Sequence, residues 1–118
     1  AELIGKSIRA IAATGGTSFL TVLKRFGVGN QSPLSFPIQG WTLALDIPAR
    51  IDGLEQVLDK LDERVAEAGG RVYLSKDARL RPELVATMYP RLSQWQETRR
   101  TLDPQGIFRS DLAVRLDI

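Results

Sequence analysis

Gly27-Val28-Gly29-Asn30-Gln31-Ser32-Pro33-Leu34-Ser35-Phe36-Pro37-Ile38-Gln39-Gly40-Trp41 lies between two stretches of strand composition. Three of the chain's ten glycines and two of its six prolines fall inside it, so it continues neither strand. A connection of this length in a compact domain is functional or mobile. We therefore read it as half of an active site, carried between two paired strands.

Upstream, Thr17 to Phe26 has strand composition. Leu20 and Val22 alternate with Phe19, Thr21 and Leu23, so both faces carry apolar groups and both are expected to be covered. Downstream, Trp41, Leu43, Leu45 and Ile47 alternate with Thr42, Ala44 and Asp46, a strict period of two. Ile4, Ile8 and Ile11 mark one face of a helix over 2–14, stopped at Gly15-Gly16. Ile51, Leu54, Leu58, Leu61 and Val65 mark a longer helix that Gly69-Gly70 ends, and it should cover the Trp41/Leu43/Leu45 face.

Arg71 to Ser75 reads as a short strand leaving into the charged turn Lys76-Asp77-Ala78-Arg79. Pro82 suits the first turn of a short helix through Met88. Leu92, Trp95, Arg99 and Leu102 space a further helix, stopped by Asp103-Pro104. Ser110 or Asp111 could cap a last helix, but Leu112, Val114, Leu116 and Ile118 also alternate, so both readings stand. The expected fold is α+β: a small antiparallel sheet with helices on one face, followed by a helical C-terminal segment.

Composition narrows the chemistry. With 118 residues, 43% of them hydrophobic, the chain can bury one small core. Sixteen basic and fourteen acidic residues are intermixed, which leaves no basic stripe for nucleic acid. The chain has no cysteine and no histidine, which removes disulfides, thiolate nucleophiles, histidine triads and the usual zinc sets, and no metal site is expected. No apolar run approaches the roughly 20 residues that cross a bilayer. The chain opens on Ala1-Glu2 and its one methionine is Met88, which fits a piece of a longer protein.

If 17–26 pairs antiparallel with 41–47, the face away from the long helix carries Leu20, Val22, Lys24 and Phe26 beside Thr42 and Ala44. That is one ammonium and one hydroxyl on an apolar floor, suited to an anionic or hydroxylated ligand. The plainer alternative is a lysine at a strand end extending into water. Tyr73 and Lys76 sit where a strand leaves its sheet and could stack or stabilise charge; the alternative is a surface turn. Trp41 and Trp95 are more simply core residues, and Asp103-Pro104-Gln105-Gly106 a helix stop. Gly27-x-Gly29 lacks the third glycine and the following helix of a dinucleotide fingerprint.

The run from Phe26 to Trp41, with Gly69-Gly70-Arg71-x-Tyr73-x-x-Lys76-Asp77 and Met88-Tyr89-Pro90-Arg91, resembles the C-terminal part of the vanillyl-alcohol-oxidase-like FAD-linked oxidases. Within that family the run is similar to members that oxidise a lipid-linked ribose phosphate for cell-wall arabinan. The tail Leu102-Asp103-Pro104-x-x-x-Phe108 is shared more widely. The resemblance implies that residues 1–70 are the last part of a substrate cap. It implies that 71–118 return to an FAD-binding domain whose N-terminal portion is absent from this sequence.

By the same resemblance Lys24 is a substrate-site lysine, and Leu20, Val22 and Phe26 line its cavity. Lys76 faces flavin and substrate as the catalytic lysine, and Tyr73 lies near the flavin ring. Thr42 and Ala44 belong to the substrate site, but close relatives carry asparagine at the first and mycobacterial members cysteine at the second. The implied reaction moves a hydride from a sugar carbinol to FAD, giving a keto sugar for a separate NADH-dependent reductase. This chain alone is expected to be inactive and free of FAD. The longer protein is expected in the cytoplasm with peripheral membrane contact, and an exposed apolar face could make the piece dimerise artificially. Alternatives are another FAD-linked alcohol or sugar-lactone oxidase, and a non-catalytic small-molecule-binding α+β module with the 27–41 loop as its lid.

Overall fold

The computed structural model describes residues 2–118. Their order is α1 (Glu2–Ala12), β1 (Leu20–Phe26), β2 (Gly40–Asp46), α2 (Leu54–Glu67), a 3-10 turn (Leu74–Lys76), α3 (Pro82–Met88), α4 (Leu92–Leu102) and α5 (Asp111–Leu116). This is the α+β arrangement the periodicities imply: a two-stranded antiparallel sheet backed by helices, then a helical C-terminal part.

The strands pair in one register, Leu20 opposite Asp46, Val22 opposite Ala44 and Lys24 opposite Thr42. Alternation then fixes the faces. Leu45, with Ile47 just beyond the strand, packs with Ile11 of α1 and with Leu54, Leu58 and Leu61 of α2 in one apolar cluster. The second cluster joins Ala66 at the end of α2 to Leu80, Val85, Met88, Tyr89, Leu116 and Ile118, all buried. Thus α2 serves both clusters, its first turns holding the sheet and its last turn the C-terminal helices. It ends in a Schellman pattern: Gly69 adopts φ 69°, its N–H bonds Ala66 O at 2.9 Å, and the Gly70 N–H bonds Val65 O at 2.7 Å.

Three expectations change. Residues 71–75 form no strand; Arg71 to Tyr73 take no regular structure and Leu74–Lys76 wind into the 3-10 turn. Their polar groups bond side chains instead of a neighbouring strand: the Val72 N–H meets Met88 Sδ at 3.4 Å, and Val72 O accepts the Tyr89 hydroxyl at 2.6 Å. β1 starts at Leu20 rather than Thr17 and is largely exposed, because α1 and α2 cover only the Leu45/Ile47 end of the sheet. For the same reason Trp41 is not core but 49% exposed, with the Arg25 guanidinium 5.8 Å above its ring. Trp95, by contrast, packs against the C-terminal cluster.

The open question at the C-terminus resolves as a helix. The Ser110 hydroxyl caps α5 by accepting the Ala113 N–H at 3.1 Å. Asp103 does stop α4, and its carboxylate then accepts the N–H groups of Ile107 and Phe108 at 2.9 and 2.8 Å. Those two backbone bonds, the larger contributions, hold its pKa below the usual range.

Candidate functional site

A cavity of about 950 Å³ opens beside the sheet, and Leu43, Leu45 and Asp46 of β2 and Asp62 and Val65 of α2 also line it. Val22, Lys24 and Phe26 of β1 and Thr42 and Ala44 of β2 line one side of it. The 27–41 loop supplies a wall from Asn30 to Pro37, and Arg71, Val72, Tyr73 and Lys76 close the far side. Every site residue singled out from the sequence therefore lines this one space except Leu20. Leu20 lies at the end of β1 opposite Asp46, 51% exposed and outside the cavity. A smaller cavity of about 550 Å³ between α4 and α5 contains none of those residues.

The loop is a fixed wall. Asn30 makes an Asx turn, its side-chain oxygen accepting the Ser32 N–H at 2.9 Å, and the Ser35 N–H bonds Ser32 O at 3.1 Å. Two arginines from the C-terminal part donate to loop carbonyls, Arg71 to Ser35 and Arg91 to Gln31. Arg71 also lies 5.3 Å from the centre of the buried Tyr89 ring. Gly29 passes so close to the Pro37 carbonyl that any Cβ there would collide with backbone.

An aromatic series crosses the cavity from the sheet to the C-terminal segment. Phe26 meets Phe36 edge-on at 5.9 Å, and Phe36 meets Tyr73 at 4.8 Å with the rings tilted by 34°. Sequence reading missed Phe36 and Arg71. Phe36 stood in the quoted loop, but its partners lie 10 and 37 positions away, and no local period announces such contacts.

Lys24 and Lys76 both line the cavity, and neither ammonium forms an ion pair among the described residues. The other cations here are committed: Arg71 to the loop, Arg79 to Asp59 and Asp62 of α2, Arg115 to Asp77. Asp62 nonetheless sits above the usual aspartate range, because its burial outweighs the attraction of Arg79. Asp77 sits below that range. Burial pushes it up, but the Arg115 hydrogen bond and the N–H groups of Arg79 and Leu80 together outweigh the burial.

No group of three or more acidic side chains among the described residues could hold a metal ion, and no described helix is long and apolar enough to cross a membrane.

The D-arabinono-1,4-lactone oxidase family model matches residues 48–116, more than half of the chain, and the chain belongs to this family of FAD-linked oxidases. It is 51% identical over 117 residues to an uncharacterized protein in the mprA 5′ region of Streptomyces coelicolor, covering 99% of this chain and 32% of that protein. It is 49% identical over 108 residues to the decaprenylphosphoryl-beta-D-ribose oxidase of Mycolicibacterium smegmatis, covering 92% of this chain and 23% of that protein. The chain thus spans about a third or less of the length of these curated relatives. The oxidoreductase class implied by the loop and the 69–77 block agrees with the family model and with the Mycolicibacterium relative.

The residues present fit the ring end of FAD and not its phosphates. Tyr73 and Phe36 offer an aromatic wall, with the Lys76 ammonium on the same cavity. Gly27-x-Gly29 leads into the pinned loop and then β2 instead of a helix, so it builds no phosphate-binding turn.

Proposed function

We propose that this chain is the C-terminal part of an FAD-dependent oxidoreductase that oxidises a sugar hydroxyl of a lipid-linked ribose phosphate, a step toward arabinan precursors. The observation that carries this reading is the pair of uncommitted ammonium groups, Lys24 and Lys76, on one cavity beside the Phe36–Tyr73 wall. Lys24, directly across from Thr42, supplies a point charge and a neighbouring hydroxyl for a phosphate or sugar oxygen. Val22, Phe26 and Ala44 give that end an apolar floor.

FAD, when bound in the longer protein, supplies the oxidant that accepts the hydride from the carbinol carbon. Lys76 would stabilise negative charge on the hydroxyl oxygen as its proton passes to solvent water. Tyr73 and Phe36 offer aromatic surface to the flavin ring. In this reading residues 1–70 finish the substrate cap and 71–118 return to the FAD-binding domain, so the chain is inactive alone. The keto sugar formed passes to an NADH-dependent reductase. A lipid-linked substrate brings the longer protein to the membrane surface from the cytoplasm.

The family model's name favours a second reading, oxidation of a sugar lactone or simple alcohol. The longer protein, purified with its flavin and kept free of oxygen, decides between them. Bleaching of the visible flavin band by a polyprenyl-phosphoryl ribose, and not by D-arabinono-1,4-lactone or alditols, is the expected result. Bleaching by the lactone or alditols alone would establish the second reading, and a protein that binds no flavin would remove both.

A further inference from the structure

We infer that Asp77 and Arg115 form a positioning pair that holds Lys76 at the cavity; this rests on the reading of Lys76 given above. Lys76 is the last residue of the 3-10 turn, and its backbone N–H bonds Tyr73 O at 3.0 Å. Its side chain is otherwise uncommitted, so its place depends on the backbone on either side. The next residue is the most heavily anchored in the segment. The Asp77 N–H bonds Leu74 O at 3.2 Å, and Asp77 Oδ1 accepts the N–H groups of Arg79 at 3.0 Å and Leu80 at 2.8 Å.

Arg115, arriving from α5 at the other end of the C-terminal part, completes the anchor. Its Nη2 donates to Asp77 Oδ2 at 2.5 Å and reaches the Asp77 carbonyl at 3.5 Å, while Nη1 donates to the Leu80 carbonyl at 2.8 Å. The Asp77 side chain is 2% exposed. A buried ion pair is a poor source of net stability, since apolar groups of the same volume often serve as well. What it does supply is a fixed geometry. Three donor nitrogens, the N–H groups of Arg79 and Leu80 and Arg115 Nη2, converge on one carboxylate and its carbonyl, immediately after the residue that must be held still. α5 itself is seated by Leu116 and by Ile118 just past its end, both in the buried C-terminal cluster, so the anchor is tied to the core.

The same segment offers an internal control. Arg81 pairs with Glu63 of α2 at a more exposed position and touches none of the groups that hold Asp77. Losing that pair alters the segment's surface without loosening Lys76.

The test measures flavin reduction by substrate in the longer protein, with limiting rate and half-saturating concentration determined separately. R115A is expected to slow the limiting rate about ten- to a hundredfold, as small misplacements of a reacting group do, while half-saturation changes little. R115K should recover part of the loss, and R81A should behave as wild type. D77N, which keeps the shape of the side chain, should move the rate in the same direction and covers the case in which R115A does not fold. Adding R115A to K76A should slow the enzyme no further than K76A alone, because both changes remove one unit. Multiplicative losses in that double variant, or a wild-type rate in R115A and D77N alongside a slow K76A, would overturn the positioning role alone. A wild-type rate in K76A would overturn the reading of Lys76 and the pair with it.

Discussion

Tyr89 shows how much a single side chain settles in this chain. It is fully buried, its hydroxyl donates to the Val72 carbonyl, and the Arg71 guanidinium lies against its ring. Burial pushes its pKa from 10.0 up to about 12, with Arg71 pulling part of the way back. The folded state therefore holds the phenolic proton more tightly than the unfolded chain. The resulting stabilisation is complete below pH 10 and is lost as pH rises through about 12. Y89F should lower stability at neutral pH by about 1–3 kcal/mol, since it leaves the part-buried Val72 carbonyl without its donor. It should also remove the wild type's extra loss of thermal stability between those pH values, which a series of melting curves would show. Gly29 carries a second residue-scale prediction. G29A drives a methyl into the Pro37 carbonyl and should cost roughly 1–3 kcal/mol while weakening substrate binding through the displaced loop, read by denaturant titration and by half-saturation. The sequence marked Gly29 as part of an unusual loop, but the Pro37 approach, the Arg71 and Arg91 anchors and the Phe36 contacts join distant positions and leave no local pattern.

At the scale of elements, what was legible had a period or a stop. β2 and α2 were readable because each repeats its apolar residues at the spacing of its own geometry, and Gly69-Gly70, Pro82 and Asp103 ended or began helices as their backbone chemistry demands. Arg71 to Ser75 misled because five residues of strand composition make a strand only beside a partner; here Met88 and Tyr89 take the backbone groups a neighbouring strand would have used. Trp41 misled in a similar way. Its alternation placed it correctly on the helix-facing side of β2, but α1 and α2 reach only the other end of that face. The weight borne by α2 gives a prediction at this scale. L61A removes a buried side chain from the cluster that fixes the sheet against its helices, and should cost about 2–5 kcal/mol in chemical denaturation.

For the molecule as a whole, the site is made by bringing three separate stretches of chain to one cavity: the sheet face, the pinned loop and the segment ending at Lys76. The strand alternation put Lys24, Thr42 and Ala44 together in advance, whereas the meeting of Lys76 with Lys24 across the cavity depends on α2 turning the chain back and could not be read from spacing. Leu20 follows the same alternation and the same resemblance, but the cavity ends before it. If Lys76 serves the chemistry at this cavity, the rate of flavin reduction by a polyprenyl-phosphoryl ribose in the longer protein must differ between wild type and K76A. K76A should lose about a hundredfold or more in the limiting rate with the flavin still bound; an unchanged rate would remove Lys76 from the chemistry.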